Sequence, residues 1–368
     1  MKVVVTGAHG MLGTHLRAYL RAFEEVEVIP VGREEFADSA RLAESVRNAD
    51  VVFHLAGMNR GDEQEVARTN VALTEQLVAA LEEAESRAHV LFSSSTHIER
   101  DTPYGQSKRR AAEVLEAWAQ ASGGKFTNVV LPGVFGEGGK PFYNSVVATF
   151  CHQLAAGEEP SVDSDAPIEQ IHAQEASRRM WRMVQEGQTG TVRVEGTQLT
   201  VRGLLETLQE MRRTYAEHII PDISDPFRRD LFNMYRSYLY PQHYPVALKL
   251  HTDPRGSLFE AIKSPSGGQT FMSTTHPGIT RGNHFHTRKV ERFLVSGGEA
   301  EIRLRHIFGD EVQVFRVSGD QPSYVDIPTL HTHNITNVGD STLLTMFWTN
   351  ELFDPANPDQ VMEMVEPQ

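Results

Sequence analysis

The sequence predicts an α/β domain with a doubly wound parallel sheet, followed by a smaller all-β domain of the jelly-roll type. Three observations support this prediction. The 368 residues are enough to bury two separate cores. Up to about residue 240, short β-branched runs alternate with longer helical patterns, which indicates strands joined by crossover helices. After residue 245, glycines and prolines separate short strand-like runs, as in small all-β domains.

The predicted elements follow in chain order. In the first part, the expected strands are residues 2–6, 26–31, 50–55, 90–93 and 128–131. The segment from residue 226 begins with a helical pattern and is then broken by Pro241 and Pro245, which places the domain boundary near residues 240–245. The predicted domains are therefore residues 1–243 and 244–368. In the second domain, the expected strands are residues 269–272, 300–305, 311–317 and 343–348.

Composition and charge argue against several classes of partner. The formal net charge of -14 and the pI near 5.6 give no general attraction to nucleic acid or to anionic lipid. The single cysteine, Cys151, cannot form an intrachain disulfide, and no apolar run is long enough to span a bilayer. The chain also starts in a predicted strand rather than in a signal peptide. These features predict a cytoplasmic protein that binds neither nucleic acid nor membrane.

A glycine-rich turn follows the first predicted strand and precedes the first predicted helix. This turn, TGAHGMLG at residues 6–13, contains Gly7, Gly10 and Gly13. The first glycine allows a tight turn, the second lets the backbone approach a pyrophosphate, and the third lets the helix pack on the strand. The helix amino terminus supplies N–H donors and a partial positive charge. The pattern predicts a dinucleotide site, with an ordinary glycine turn as the alternative.

Arg33 indicates which dinucleotide is bound. It lies in VGREE, residues 31–35, after the second predicted strand, where the adenosine ribose is expected. An acidic residue there would bond a ribose 2′-hydroxyl, whereas an arginine can pair with a 2′-phosphate. We therefore expect NADPH, with a surface arginine as the alternative.

A serine run, a tyrosine and a lysine form the candidate catalytic set of the first domain. Ser93, Ser94 and Ser95 end the fourth predicted strand, and Tyr104 and Lys108 follow on a predicted helix. A spacing of four residues places the tyrosine and the lysine on one helix face. The nearby ammonium group is expected to lower the pKa of the tyrosine, and a serine hydroxyl can hydrogen-bond the same substrate oxygen. This set predicts proton transfer to the oxygen of a sugar ketone.

These motifs resemble, in the same order, those of the extended short-chain dehydrogenase/reductase family, whose fold is Rossmann-like. The resemblance covers residues 1 to about 240 and includes HLAG at 54–57, YGQSK at 104–108 and LPGVFG at 131–136. One departure is Glu175, which stands where many relatives have an aspartate-bearing segment. We interpret that region as structural.

The resemblance assigns roles to the candidate residues of the first domain. It implies that Tyr104 is the catalytic acid and that Lys108 modulates it and contacts the ribose. Ser95 or Ser94 would be the assisting hydroxyl. The residues that it assigns to cofactor binding are Gly7, Gly10, Met11, Leu12, Gly13, Arg33, Leu55, Ala56, Gly57, Lys108 and Pro132.

The second domain contains a candidate metal site. The run GNHFHTRKVE places His284, His286 and Glu291 at the spacing of the first cupin pattern, and LHTHNITN places His333 in the second. Residues two apart in a strand point to the same face, so the first two histidines can both face into a barrel. Leu330 replaces the glycine that is usual at the turn of the second pattern. The alternative is that these side chains are exposed or only hydrogen-bonded.

Three imidazoles and a carboxylate suit zinc, and also iron, manganese or nickel. A metal in this pocket can polarise a ketone and acidify the adjacent C–H bond, which predicts a 3-epimerisation of a 4-keto sugar. His331, two positions before His333, is a candidate extra ligand or base, and Tyr324 is a second candidate for the acid or base.

A segment upstream of the metal site resembles the first strand of keto-sugar epimerase cupins. In this segment, HTDPRGSLFEAI at residues 251–262, Arg255 is suited to pair with a substrate diphosphate. The alternative is a simple turn, because Pro254 and Gly256 flank the arginine.

Together, the two halves closely resemble the bifunctional capsule-sugar enzymes of the CapF type, nearly end to end. The segments GKPFYNSVVATFC, PGITRGNHFH and MFWTNELFDPANPD carry the resemblance. It implies a homodimer that epimerises C3 of UDP-2-acetamido-2,6-dideoxy-β-L-arabino-hexos-4-ulose at a zinc site. NADPH then reduces C4 to give UDP-2-acetamido-2,6-dideoxy-β-L-talose, a precursor of N-acetyl-L-fucosamine in capsular polysaccharide biosynthesis. Asn144, in the first of the three segments, and His331 are candidate substrate contacts.

Two alternative functions remain open from the sequence. The first is a monofunctional 4-keto nucleotide-sugar reductase whose cupin domain serves for assembly or sugar binding. The second is a metal-dependent dioxygenase joined to a nucleotide-binding module without catalytic activity. Loss of NADPH oxidation in a Tyr104→Phe variant argues against the second alternative, and hydrogen exchange at C3 argues against the first.

Overall fold

The computed structural model describes residues 1–366 of the chain. Internal contacts divide it into two units. The first unit comprises Met1–Thr149 and Ser164–Val201, and the second comprises Phe150–Asp163 and the residues from Arg202 onward. Among the described residues, no helix combines the length and the apolar character needed to cross a lipid bilayer.

Strands and helices alternate in the first part of the chain. The strands are β1 (Lys2–Thr6), β2 (Glu27–Val31), β3 (Val51–His54), β4 (His89–Ser95), β5 (Lys125–Leu131), β6 (Gly133–Phe135), β7 (Pro167–His172), β8 (Gly190–Arg193) and β9 (Thr197–Thr200). The helices are α1 (Met11–Leu20), α2 (Arg33–Phe36), α3 (Ser39–Val46), α4 (Glu63–Glu83), α5 (Pro103–Ser122), α6 (Val146–Ala155) and α7 (Ala173–Gln185), with a 3₁₀ turn at Thr96–Glu99.

The main sheet of the first unit has six parallel strands in the order β2-β1-β3-β4-β5-β8. Its central strands are nearly continuous apolar runs because both faces are covered. Val4 and Val52 are buried in a core on one face, and Val5 and Phe53 in a core on the other. The predicted doubly wound parallel sheet is confirmed. Strands β2 and β3 lie on opposite sides of β1, and ligands bind at such a switch point, beyond the carboxyl ends of the strands.

The later part of the chain consists of two helices followed by strands. The helices are α8 (Val201–Ala216) and α9 (Pro226–Leu239). The strands are β10 (Val246–Ala247), β11 (His251–Asp253), β12 (Gly256–Leu258), β13 (Gln269–Thr275), β14 (Thr280–Phe285), β15 (Glu291–Gly297), β16 (Glu299–His306), β17 (Val312–Ser318), β18 (Ser323–Ile327), β19 (His331–Asn337), β20 (Leu343–Thr349) and β21 (Val361–Met362).

Most strands of the second unit form two five-stranded antiparallel sheets. Their orders are β10-β18-β15-β20-β13 and β17-β16-β19-β14-β21. Phe293 and Val325 from the first sheet share one buried apolar cluster with Ile302 and Ile335 from the second. The prediction of an all-β architecture for this part of the chain is confirmed.

Helices α8 and α9 contact the outer side of strands β15 and β18. Arg292 and Asp326, whose side chains are 1% and 0% exposed, form a bidentate pair at 2.6 and 2.8 Å. The Tyr215 hydroxyl of α8 donates to Asp326 Oδ2 at 2.5 Å and lies 2.7 Å from the Tyr244 hydroxyl. Arg236 of α9 donates to the backbone of β18. These contacts explain why both helices belong to the second unit. The predicted domain boundary at residue 243 lies between the last helix, α9, and the first strand of the β part, β10. As a domain boundary it stays a prediction.

Candidate active site and candidate metal centre

The turn between β1 and α1 requires glycine at two positions. Gly7 has φ +66°, and a Cβ there would lie 2.8 Å from the backbone that follows β3. A Cβ at Gly13 would lie 2.4 Å from the Gly7 carbonyl oxygen. Gly10 is the N-cap of α1 and provides no side-chain cap. The first N–H groups of the helix, which include those of Met11 and Leu12, are therefore suited to face an anion.

The other predicted cofactor residues lie at the same edge of the sheet. Leu55, Ala56 and Gly57 follow β3 beside the glycine turn, and Pro132 follows β5. Arg33 is exposed and is the first residue of α2, directly after β2. Because these strands are parallel, their carboxyl ends meet at one edge. The structure therefore brings the predicted cofactor residues to one edge.

Lys108 connects the candidate catalytic residues to this edge. Its Nζ donates to the carbonyl oxygen of Ser93 at 2.9 Å and lies 5.8 Å from the centre of the Tyr104 ring. The same atom would be 3.7 Å from a Cβ placed on Gly57. The lysine thus lies between the predicted catalytic tyrosine and the predicted cofactor edge.

The two candidate helper serines have different environments. Ser94 is buried, and its Oγ has no hydrogen-bond partner among residues 1–366. Ser95 Oγ accepts a hydrogen bond from the His97 backbone at 3.3 Å and so caps the 3₁₀ turn. The His97 ring in turn packs edge-on against Tyr104, with 5.8 Å between the ring centres. A buried hydroxyl without a partner is costly, and the assignment of Ser95 or Ser94 as the assisting hydroxyl stays a prediction.

Burial sets the pKa values of the candidate catalytic pair. Burial raises the pKa of Tyr104 above its ordinary value and lowers the pKa of Lys108 to about 8. The expectation that the ammonium group would lower the tyrosine pKa is therefore wrong for this chain without its cofactor. Loss of solvation disfavours the phenolate, and no charge effect from the lysine outweighs that loss.

Four side chains of the second unit converge on one point. Each of His284, His286, Glu291 and His333 offers a ligand atom, and these atoms lie within 4.8 Å of one another. His284 and His333 face each other across the β14–β19 pair, whereas Glu291 begins β15 in the opposite sheet. Glu291 Oε2 lies 3.0 Å from His286 Nε2 and 3.2 Å from His333 Nε2. The structure therefore brings all four predicted ligands together.

Backbone carbonyl groups orient two of the imidazoles. His286 Nδ1 lies 2.6 Å from the carbonyl oxygen of Asp359, and His333 Nδ1 lies 3.3 Å from that of His331. A carbonyl oxygen only accepts, so both Nδ1 atoms carry the proton. His286 Nε2 hydrogen-bonds Glu291 Oε2 at 3.0 Å, and His333 Nε2 also lies beside this carboxylate. A hydrogen bond at Nδ1 fixes the ring as in known metal sites, so a metal would bind at Nε2 in place of any proton there.

The electrostatics of the cluster follow from burial and from the carboxylate. Burial, with the neighbouring imidazoles, lowers the pKa of His284 to about 3 and keeps it neutral. Glu291 raises the pKa of His286 despite the burial of the imidazole, and the two histidines hold the pKa of Glu291 well below its usual range. Neutral imidazole and ionised carboxylate bind a metal, so His284 and Glu291 are in the binding forms, whereas a metal would have to displace a proton from His286.

The donor set fits a divalent transition metal such as zinc. Three imidazole nitrogens and one carboxylate oxygen are typical zinc ligands, with bond lengths of about 2.0–2.2 Å. His333 Nε2 is buried and has no hydrogen-bond partner among the described residues. A metal would satisfy this atom.

Leu330 has the left-handed backbone conformation that glycine adopts most easily. Its φ is +60°, and its side chain is buried. Its N–H donates to the His286 carbonyl at 2.9 Å, and its own carbonyl accepts from Ile307 at 3.0 Å. The turn before β19 is therefore formed with leucine in a left-handed conformation, which costs about 1–2 kcal/mol.

The predicted substrate residues are not gathered in the same way. His331 lies outside the metal-ligand cluster, and its ring packs against those of Tyr240 and His306. Asn144 is exposed before α6. Arg255 is 90% exposed in the turn between β11 and β12, where it pairs with Asp253 at 2.7 Å. The roles of all three predicted residues stay predictions.

Tyr324 is wrongly proposed as an acid or base of the metal site. Tyr324 pairs with Leu294 on β15. Leu294 is three residues after Glu291 and therefore lies on the opposite face of the strand, so the Tyr324 side chain points to the outer face of the sheet. There, the Arg292 guanidinium lies 3.5 Å from the centre of the Tyr324 ring.

Sequence reasoning missed two groups of buried polar residues. Asp359, 68 positions after Glu291, contacts the segment next to the metal ligands. In the first unit, buried Glu137 lies 3.0 Å from His172 Nε2 and 3.6 Å from His15 Nε2. No local spacing marks these residues, because their partners are distant in sequence.

The fold and the two sites define a class of enzyme with a dinucleotide-binding unit and a cupin-like β unit. Residues 3–194 match the NAD dependent epimerase/dehydratase family, and residues 251–361 match the polysaccharide biosynthesis C-terminal domain. The chain belongs to the NAD dependent epimerase/dehydratase family, which implies a nicotinamide cofactor for the first unit.

Full-length relatives are similar in both halves. The chain is 34% identical to a UDP-2-acetamido-2,6-beta-L-arabino-hexul-4-ose reductase of Pseudomonas aeruginosa strain PA103, over 98% of this chain and 97% of the relative. The capsular polysaccharide assembling protein CapF of Staphylococcus aureus has 34% identity and a TM-score of 0.65, with 99% of this chain and 100% of that chain covered. A structure of CapF with the inhibitor 3-isopropenyl-tropolone has 31% identity and a TM-score of 0.59, with the same coverage. The predicted resemblance to CapF-type enzymes is confirmed.

Proposed function

We propose that the chain is a bifunctional UDP-sugar enzyme. The second unit epimerises C3 of UDP-2-acetamido-2,6-dideoxy-β-L-arabino-hexos-4-ulose, and the first unit then reduces the C4 ketone with NADPH to give UDP-2-acetamido-2,6-dideoxy-β-L-talose. The Pseudomonas relative is named for a reductase activity on such a sugar, which supports the reductase half. The convergence of His284, His286, Glu291 and His333 on one point carries the epimerase half.

Tyr104 is the proton donor of the proposed reduction. NADPH, when bound, supplies the hydride to C4, and the proton of the Tyr104 hydroxyl moves to the C4 oxygen to complete the alcohol. Tyr104 carries its proton near neutral pH, because its pKa lies above the ordinary tyrosine value, and this proton is the one that the C4 oxygen takes up. Ser94 donates a hydrogen bond to the same oxygen.

Lys108 holds the cofactor and supports the proton donor. It lies between Tyr104 and the cofactor edge, and its ammonium group is suited to contact the nicotinamide ribose. The same positive charge stabilises the phenolate that is left after proton transfer. Arg33 binds the 2′-phosphate of NADPH in this proposal, because it is exposed directly after β2.

His284, His286, Glu291 and His333 hold a divalent metal, most simply zinc. The metal, when bound, supplies a Lewis acid for the C4 ketone, which acidifies the C3 hydrogen. A base removes the C3 proton, and a proton returns to the opposite face of C3, so the step conserves atoms and charge. Phe293 packs on the His333 ring and on Phe347, so the side of the metal site next to His333 is apolar.

The two activities can be tested with one substrate and two variants. The 4-keto UDP-sugar is incubated with the enzyme and NADPH in deuterium oxide, and NMR of the product reports deuterium at C3. We expect Tyr104→Phe to lower NADPH oxidation by about 10²–10⁴-fold and to leave C3 exchange intact. His284→Ala should lose the metal and C3 exchange but keep NADPH binding.

The outcomes distinguish the alternatives. A wild-type product without deuterium at C3 would leave a monofunctional reductase with a non-catalytic cupin unit. Retained NADPH oxidation in Tyr104→Phe would contradict the assigned proton donor. Homodimer formation, a cytoplasmic location, and the substrate contacts of Asn144, Arg255 and His331 stay predictions.

A further inference from the structure

The link between two predicted metal ligands is held by a distant part of the chain. Residues 287–290 join His286 to Glu291, and all four of their backbone N–H groups are accepted by side chains of residues 350–360, termed here the C-terminal segment. Thr287 N, Arg288 N and Lys289 N donate to the Asp359 carboxylate at 3.0, 3.0 and 2.9 Å. Val290 N donates to Asn350 Oδ1 at 2.8 Å.

Asp359 contacts both the link and one ligand. Its side chain is 3% exposed, and its carboxylate also accepts the Thr287 hydroxyl at 2.6 Å. Its backbone carbonyl accepts the His286 Nδ1 proton at 2.6 Å. One residue therefore sets the tautomer and ring direction of His286 and the path of the chain to Glu291. Its φ of 42° is left-handed, a conformation that aspartate and asparagine tolerate better than most residues.

Basic side chains hold the C-terminal segment against the same link. Arg288 pairs with Glu351 at 3.2 Å and donates to the Asn357 carbonyl at 3.1 Å, and buried Lys289 donates to the Pro358 carbonyl. The contacts therefore run along the whole of the C-terminal segment. Four adjacent N–H groups bonded to side chains cannot form a strand ladder, so the link depends on this segment for its shape.

We propose that Asp359 is a positioning residue of the metal centre, which holds His286 and Glu291 in the geometry that binds the ion. This inference rests on the proposed metal site. Residues that orient metal ligands typically contribute 10–100-fold to metal affinity. The C-terminal segment is then part of the metal site although it supplies no ligand.

The test is the zinc affinity of the full-length Asp359→Asn variant. Asparagine keeps the backbone carbonyl and tolerates the left-handed φ, but its amide NH₂ faces N–H donors of the link and cannot accept from them. We expect zinc affinity, measured by competition with a chromogenic chelator, to fall by about 10–100-fold. The matched control is Asp354→Asn, because among residues 1–366 the carboxylate of exposed Asp354 accepts a hydrogen bond only from Ala356 N, within the same segment. The control should bind zinc like the wild type.

Thermal unfolding with and without zinc separates positioning from a purely structural role. A positioning role predicts that zinc raises the unfolding midpoint less in Asp359→Asn than in the wild type. Equal zinc affinity in the wild type and in Asp359→Asn, or an equal loss of stability with and without zinc, would overturn the proposal. If the wild type itself binds no zinc, the proposed metal site fails, whereas an unaffected variant of a zinc-binding wild type refutes only the role of Asp359.

Discussion

Burial controls the charge of the candidate catalytic residues at the scale of single residues. Lys108 is only 6% exposed, and its pKa falls to about 8 from an ordinary value of 10.5. Burial also raises the pKa of Tyr104 above its ordinary value. Proximity of an ammonium group to a phenol is therefore insufficient to create a phenolate, since both groups lose solvation together. The pair is suited to donate a proton near neutral pH.

The lowered pKa of Lys108 predicts a pH-dependent stability. Between about pH 8 and 10.5, the unfolded chain holds a proton on this lysine that the folded chain has released, so the free energy of unfolding rises with pH across that window. Relative to a Lys108→Met variant, the wild type without nucleotide should gain about 3 kcal/mol in its free energy of unfolding between pH 7 and 10.5. Urea unfolding at both pH values measures this difference.

The exposed Lys125 provides the control for this measurement. A Lys125→Met variant should show no such difference from the wild type. If the free energy of unfolding changed equally with pH in the wild type and in Lys108→Met, Lys108 would be solvated in the folded protein.

At the scale of elements, a β-bulge positions one wall of the metal site. The register of β14 against β19 shifts between Gly282 and His284, which directs His284 toward His333. Gly282 has φ +108°, and a Cβ there would lie 2.8 Å from the His333 carbonyl oxygen. Only glycine combines this φ with so close an approach to the neighbouring strand. The bulge therefore depends on a residue that the metal-ligand pattern does not emphasise.

A Gly282→Ala substitution tests this dependence. Backbone strain and the clash with β19 together should lower the free energy of unfolding by about 2–5 kcal/mol. Zinc binding should also weaken, because the substituted strand pushes against the backbone of His333. The control is Gly278→Ala, since Gly278 also has a positive φ of +74° but a Cβ there would meet no atom within 4 Å. It should cost only about 1 kcal/mol. Equal losses in thermal unfolding would rule out the clash as the cause.

At the scale of the whole molecule, the unit that carries the metal site includes helices from before the predicted boundary. Tyr215 and Arg236 bond to strand β18 or to its buried Asp326, and Arg292 depends on that carboxylate. A buried ion pair is costly when its surrounding partners are removed. The β sheets alone would expose this pair to solvent on one side.

Two fragments test whether helices α8 and α9 stabilise the β sheets of the second unit. A fragment of residues 202–368 should unfold at a higher temperature than one of residues 244–368, because only the longer one keeps Tyr215 and Arg236. If the shorter fragment loses about 3 kcal/mol of its free energy of unfolding, its thermal unfolding midpoint should be on the order of 10 °C lower. Differential scanning calorimetry of both fragments gives the comparison. Identical midpoints would show that the all-β part is stable without the helices.

Local patterns predicted the strands and the spacing of the ligands well. The strand expected at residues 343–348 is Leu343–Thr349 in the structure, and the one expected at 2–6 has the same bounds. The period of two and the spacing of four are properties of short segments, so a single sequence carries them. The outward direction of Tyr324 and the contacts of Asp359 depend on packing between distant strands, which no local period records.

The sequence by itself determined the class of both halves, the glycine turn, the Tyr104–Lys108 spacing and the identity of the metal-ligand candidates. Only the tertiary structure decided that Glu291 from one sheet meets His284 and His333 from the other, and that Asp359 holds the link between ligands. It also decided that burial, rather than the nearby charge, sets the direction in which the pKa of Tyr104 shifts. The physical reason is that convergence and desolvation arise when segments far apart in sequence pack together, whereas periodicity and turn chemistry arise within a few consecutive residues.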